Sequence, residues 1–206
     1  MMQRMCFAMT LSILSVALLG THARAASTDA PKQVIQEAMD EVLGVLKDKN
    51  KPSADRQKRI EDIAYARFNF DRMSKLVLAK NFKTMSDAQK EGFAQEFKKH
   101  LSLTYGRRLE SYSNEKIDVG AAREEKNGDV SVKTKIEGGA ANGVEIEYRM
   151  HEDAGQWRVI DVTIEGVSLI ANFRSQVQDI IRAEGPDKLI EKLHQKNTEK
   201  AAAPAA

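Results

Sequence analysis

The chain predicts an α+β fold in which helices pack over a curved four-stranded antiparallel sheet. Three observations carry this reading. Between residues 31 and 112 the apolar side chains recur every three or four positions. Residues 129–137 and 143–150 then alternate apolar and polar side chains, the period of a half-buried strand. Beyond Gly166 the helical period returns.

Pro31 opens a first helix to about Leu46, with Val34, Ile35, Ala38, Met39, Val42 and Leu43 on one face, and Lys47 to Pro52 break it. A second helix is expected from Ser53 to about Arg67, through Ile60, Ile63 and Ala64. Its first turn holds Asp55, whose charge suits a helix N-terminus. A short helix then begins near Asn69 or Asp71. Ser86 and Gln89 have the spacing of a capping box. Phe93, Phe97, Leu101 and Tyr105 follow at intervals of four, so a long helix is expected from Asp87 to Glu110. The strands are KIDVG (116–120), DVSVKTKIE (129–137), GVEIEYRM (143–150) and QWRVIDVTIEG (156–166). In the last, Trp157 and Val159 share one parity and Ile160, Val162 and Ile164 the other. Either a bulge near Val159 and Ile160 turns both sets inward, or helices cover both faces. Ser168 caps a following helix, another begins after Gly185 and Pro186, and residues 196–206 are expected to be a disordered tail.

The first 25 residues read as a secretory signal. Arg4 precedes an apolar run from Cys6 to Leu19, and Ala23 and Ala25 supply the small residues of a cleavage site after Ala25. The run is short of the ~20 residues of a spanning helix, and Cys6 stands near its start, so no lipid-anchored product is expected. Residues 26–195 are then a single domain. Loss of Arg4 and Arg24 takes 32 basic residues to 30, equal to the 30 acidic ones, which argues against nucleic acid as a partner. Cys6, the one cysteine, leaves with the signal, so neither a disulfide nor thiol chemistry is expected.

Glycine-rich nucleotide loops, the nucleophile elbow and the zinc-protease motif are all missing, and His100, His151 and His194 lack metal-ligand spacing; no cofactor or metal is expected. Asp161, between Ile160 and Val162, is the one acid whose setting suits a tuned general base. The competing reading pairs it with Arg149 or Lys133, or with backbone donors near the bulge. Tyr105, Tyr112, Tyr148 and Trp157 read as core residues or as a stacking set. Arg107 and Arg108 read as surface residues or as an anion contact at a cavity mouth. A cone of curved sheet and helix either fills itself or leaves room for an apolar ligand, and composition does not separate the two.

Several ordered segments resemble the MlaC family of periplasmic phospholipid-binding proteins, also called the toluene-tolerance Ttg2 family of auxiliary ABC-transport components. FNFDRMSKLVL (68–78) is similar to its aromatic-Asp-x-x-Met segment, and MSDAQKEGFAQEFKKHLSLTYGRRLESY (85–112) to its long-helix signature. Trp157, Asp161, Gly166, Ser168, Asn172, Phe173, Arg174 and Ser175 match its C-terminal pattern. Ala79 and Phe82 depart from it, standing where the family has glycine and tryptophan. With Ala79 the turn is expected to stay helical longer.

The resemblance implies a cone like that of nuclear transport factor 2, with a cavity for acyl chains and no catalysis. It implies a periplasmic carrier that shuttles phospholipid between an outer-membrane lipoprotein–porin complex and an inner-membrane ABC transporter with an MCE-type substrate-binding component. Such a carrier maintains outer-membrane lipid asymmetry. The lipid-binding positions it suggests are Val77 in the short helix, then Phe97, Leu101 and Tyr105 in the long one. On the strands they are Val132, Val144, Ile146, Tyr148, Met150, Trp157, Val159, Val162 and Ile164, followed by Leu169 and Phe173 in the helix after Ser168. Three alternatives remain open at this point: a carrier of hopanoid or another apolar lipid, an envelope adaptor with a solid core, and an enzyme using Asp161.

Overall fold

A computed structural model describes residues 28–106 and 114–202; the expected signal segment, Arg107, Arg108 and Tyr112 lie outside these residues. The element order is α1 (Asp29–Lys47), α2 (Ser53–Arg67), α3 (Phe70–Leu78), a 3-10 turn (Ala79–Lys83) and α4 (Asp87–Tyr105). There follow β1 (Lys116–Glu124), β2 (Val130–Glu137), β3 (Glu145–Asp153), β4 (Gln156–Ile164), β5 (Val167–Ser168), α5 (Leu169–Glu184) and α6 (Pro186–Ala202). The architecture is α+β, with helices packed against an antiparallel sheet of five strands in the order β1-β2-β3-β4-β5. Four strands were expected; the fifth is a two-residue edge segment after Gly166. Among the described residues β1 and β5 do not pair, so the sheet stays open.

Two bulges bend it. On β4, Asp161 pairs with Arg149 and Val159 with Met150, which leaves Ile160 as the extra residue. The parity conflict along this strand is thereby resolved in favour of the bulge, and Val159, Val162 and Ile164 all pair with core-facing residues of β3. The carbonyl of Val159 accepts the Asn69 N–H at 2.9 Å, which joins the end of α2 to the bulged strand. On β1, Val119 pairs with Thr134 but Ala122 with Val132, so one extra residue sits beside Gly120. This strand was expected to end at Gly120; the bulge absorbs the glycine and pairing continues to Glu124.

Local chemistry sets the helix ends. Ser86 and Gln89 form the expected capping box, each side chain bonded to the other's backbone N–H at 3.2 and 3.0 Å. Asn69 caps α3 by accepting the Arg72 N–H at 2.9 Å. At the far end of α3 the helix stops at Leu78, contrary to expectation: Ala79 takes φ 49°, ψ −119°, a conformation suited to glycine. The carbonyls of Leu76 and Leu78 are occupied from α5, by Arg174 Nε at 2.9 Å and Gln178 Nε2 at 3.2 Å. With those acceptors satisfied, continuing the helix gains little, and the alanine carries the strain.

Helix α6 continues through Ala202, beyond the start of the expected disordered tail, because it is bonded to α4 along its length. Fully buried Asn197 donates through Nδ2 to the Glu96 carbonyl at 2.9 Å and to Glu96 Oε2 at 2.7 Å. Its Oδ1 therefore faces His100 Nδ1, 2.9 Å away, and that nitrogen carries the proton. His194 meets Glu96 Oε1 at 2.8 Å, and Lys200 donates to Thr104 Oγ1 at 2.6 Å. Burial pushes the His100 imidazole below its usual value, against the opposing bond to Asn197, and Lys200 and Lys196 push the same way as burial.

Two outcomes follow from these contacts. Ala79→Gly relieves backbone strain of about 1–3 kcal/mol and returns up to about 1 kcal/mol in unfolded-chain entropy. A higher urea midpoint with an unchanged m-value is expected. For His100, a folded pKa below the unfolded one of about 6.5 means that its neutral form stabilises fully above that value; the contribution fades as pH falls through the folded value. Wild type therefore loses more stability than His100→Gln between pH 7.5 and about 5, measured by urea unfolding at each pH.

Candidate functional site

The strand register sorts the inner face of the sheet into rungs. The first is Val130–Met150–Val159, and the second is Ala122–Val132–Tyr148–Val162. The third is Val119–Thr134–Ile146–Ile164–Val167, and the fourth Ile117–Ile136. Exposure rises towards the later rungs, although Val132, Val119 and Thr134 stay buried. Val130 and Met150 have no water-accessible surface and Val159 only 1%, whereas Tyr148 and Val162 reach 8% and 7%. Ile146, Ile164, Ile117 and Ile136 are half-buried, and Val167 is exposed. Helix α4 grades in the same way, from sealed Phe93 and Phe97 through Leu101 to half-buried Tyr105. The apolar residues of the first three rungs, Val167 apart, and Phe93, Phe97, Leu101 and Tyr105 of α4 belong to one apolar cluster. The inner face of the sheet is thus sealed at its first rung and looser at its fourth.

The fifteen positions suggested for lipid contact divide accordingly. Val77, Phe97, Val132, Met150 and Val159 are sealed; with at most 1% of their surface accessible, they pack against protein rather than line a void. Phe97 illustrates the packing, with its ring 5.5 Å from Phe93 in a stack and 5.2 Å from Phe173 edge-on. Leu101, Tyr148, Val162 and Leu169 stand where the wall begins to open, and Tyr105, Val144, Ile146, Ile164 and Phe173 are half-buried. Trp157 is not brought to them. It lies beyond the sealed rung, opposite Glu152 near the β3–β4 turn, in a groove shared with Val34, Glu37 and Arg67. The suggested stacking set is thus divided between the two ends.

Residues outside the fifteen suggested positions complete the wall: Thr134 and Ile136 of β2, already legible from the alternation of that strand, and Ile117, Val119, Ala122 of β1 and Val167, which were missed. Burial pushes the Tyr148 hydroxyl up to about 12 and Thr134 donates its hydroxyl to the Ile146 carbonyl at 3.2 Å, so both groups remain neutral within the apolar surface. A separate open groove of about 640 Å³ lies outside the wall, along Tyr65, Phe68, Phe70 and Phe82. The Lys98 ammonium sits 3.5 Å from the Tyr65 ring centre there.

Asp161 holds the wall's lid in place. Its Oδ2 accepts the Ser168 hydroxyl at 2.7 Å and its Oδ1 the Ile170 N–H at 3.1 Å, while Arg149 Nη2 lies 3.5 Å from Oδ2. Ser168 Oγ in turn accepts the Ala171 N–H at 3.0 Å. The carboxylate is engaged in anchoring the N-terminus of α5 to the bulged strand, which carries Leu169 and Phe173 over the sheet. Both oxygens are occupied by structural donors, which removes the basis for a general base. His151, expected at the surface, is half-buried and bonded to Asp129 at 2.7 Å. Among the described residues there is no cluster fit to hold a metal, and no helix is long and apolar enough to cross a membrane.

Comparison with known proteins agrees with this architecture. A family model described as "MlaC protein" matches residues 36–195. The chain is 27% identical over 169 residues to the toluene tolerance protein ttg2D of Pseudomonas putida, covering 78% of this chain and 77% of that one. It is 26% identical over 201 residues to the intermembrane phospholipid transport system binding protein MlaC of Haemophilus influenzae, covering 90% of each. Among solved structures it shares the fold of a phospholipid-binding protein from Ralstonia solanacearum in complex with a phospholipid. That match has a TM-score of 0.75 at 21% identity, over 83% of this chain and 98% of the other. The chain belongs to the MlaC family.

Proposed function

From membership of the MlaC family, we propose that this protein is a non-catalytic periplasmic carrier that takes phospholipid acyl chains against the graded wall. The observation that carries the reading is the largely apolar inner face of the sheet, sealed at Val130, Met150 and Val159 and half-open at Ile146, Ile164, Ile117 and Ile136. The proposal extends to its route, between an outer-membrane lipoprotein–porin complex and an inner-membrane ABC transporter with an MCE-type component.

Energetics favour a carrier that exchanges its cargo by contact. Burial of a CH₂ is worth roughly 0.8 kcal/mol, so two tails with about 30 methylenes represent roughly 24 kcal/mol of gross transfer energy. A bilayer offers the same tails similar burial, so the net preference for either is small, whereas release into water is forbidden. In the conformation described, the first rung and Phe97 are sealed within the apolar core. Deeper entry of tails parts side chains such as Phe97 and Phe173, and acyl methylenes then replace the apolar contacts those residues lose. Recognition through tails leaves selectivity for the head group weak.

Protein purified from its own host without detergent, then denatured and examined by mass spectrometry, is expected to release phospholipid in stoichiometric amount. Hopanoid in its place would change the cargo, and an empty protein would overturn the carrier reading. Ile146→Glu puts a charge on the half-open wall and is expected to lower bound lipid at least tenfold, a change of ~1.4 kcal/mol, with little loss of fold. Asp161→Asn is expected to retain lipid. Asp161→Ala loses about 1–3 kcal/mol in urea unfolding, because the donors of Ser168, Ile170 and Arg149 lose their acceptor.

A further inference from the structure

Phe173 brings the covering helix α5 down onto two rings of α4. It meets Phe97 edge-on at 5.2 Å and the His100 imidazole edge-on at 5.5 Å. Phe97 and His100 are three residues apart on the helix, so they stand as neighbours on one face. Both are buried, whereas Phe173 is half-buried. A tail that parts Phe173 from Phe97 therefore also draws Phe173 away from the histidine.

Helix α6 holds the imidazole from another side. Its Nδ1–H donates to Asn197 Oδ1 at 2.9 Å, so an added proton goes to Nε2. The charges around the ring make that proton unwelcome. Lys200 Nζ donates to Thr104 Oγ1 at 2.6 Å, and Thr104 Oγ1 donates to the His100 carbonyl at 2.6 Å, which fixes one ammonium group close by. Lys196 adds a second positive charge from α6. Glu96 of α4 supplies the carboxylate of this network, but Asn197 Nδ2 occupies its Oε2 at 2.7 Å and His194 its Oε1 at 2.8 Å. From α5 the ring meets the phenyl group of Phe173. With the seal closed, a cation at His100 is thus buried beside two ammonium groups, and burial is the chief cause that holds the imidazole below its ordinary value.

We infer that His100 couples proton uptake to the parting of Phe97 and Phe173, so that acid strengthens the hold on lipid and neutral pH favours the sealed, lipid-free form. The inference rests on the carrier reading and adds a control on it. Once Phe173 leaves the imidazole, the edge it covered meets water, which accommodates the cation as the closed packing does not. A proton and a tail then favour the same open state, and by linkage each strengthens the binding of the other. The remaining described histidines stand outside the seal. His194 lies on α6 with 62% of its side chain exposed, and His151 is bonded to Asp129 on the sheet.

The test titrates the His100 imidazole by nuclear magnetic resonance in the delipidated chain and in the chain loaded with phosphatidylethanolamine. A higher His100 pKa is expected in the loaded form. Affinity for phosphatidylethanolamine carrying one pyrene-labelled tail is expected to rise at least about fivefold between about pH 7.5 and about pH 5, the lower end of the range for coupled sites. His100→Gln, whose amide can still donate to Asn197, is expected to remove that dependence, and His194→Gln to keep it, with urea unfolding checking the fold of both. The pKa comparison needs no variant and decides the matter even where His100→Gln folds poorly. Equal His100 pKa values in the two forms, an affinity that stays level or falls on acidification, or wild-type pH dependence in folded His100→Gln would each overturn the coupling. Lipid bound at neither pH would overturn the carrier reading instead.

Discussion

One extra residue in β4 governs how the molecule is put together. A strand alternates its faces strictly, so a regular β4 that turned Val159 inward would turn Val162 and Ile164 outward. Ile160 breaks the count, and all three come to face the core-lining residues of β3. The break also bends the sheet and frees the Val159 carbonyl for Asn69, so that the end of α2 is stitched to the same point. Next to it stands Asp161, turned by the bulge towards the start of α5. The sheet's curvature, the continuity of its apolar face and the placing of its covering helix thus share a single origin within three residues.

Polar contacts at their ends and edges join the helices around the wall to one another and to the sheet. Asp161 and Ser168 fix the start of α5. Arg174 and Gln178 of α5 take the last carbonyls of α3, and Asn197 joins α6 to α4 through Glu96 and His100. Hydrogen bonds are directional and lose strength steeply with misalignment, so they specify where each helix sits. Apolar contacts are non-directional and tolerate repacking. This division leaves the interior able to change its filling, from side chain to acyl chain, while the frame keeps its geometry.

Much of this was legible from the sequence where the signal was local. The capping box at Ser86 and Gln89, the alternation in β2 and β3 and the parity conflict in β4 each arise within a few residues, and each appears in the structure as expected. The losses occurred where tertiary contacts override local preference. β1 runs through Gly120 because a bulge absorbs it. Ala79 takes a glycine-like conformation because side chains of α5 already occupy the carbonyls of α3. Polar residues of a supposed tail continue α6 because Asn197 has buried partners on α4. The wall itself was only half legible. Periodicity identifies inward-facing residues, but whether an inward residue is sealed like Met150 or half-open like Ile146 depends on its rung, and rungs follow from strand register. Val167 gave no signal at all, because a two-residue strand has no period.

The gradient also bears on how a carrier avoids holding its cargo too tightly. A roomy, permanently open cavity would leave apolar surface wetted when empty, at roughly 25 cal/mol per Å², and would bind tails correspondingly hard. A sealed floor removes that penalty, since Phe97, Met150 and Val159 lie buried in one apolar cluster. Tails that enter displace those contacts and gain only the difference. Affinity is thereby lowered towards the small margin that separates a carrier from a bilayer, which is the condition for giving lipid up as readily as taking it. Packing at the closed end of the sheet and release at its open end are two consequences of the same register.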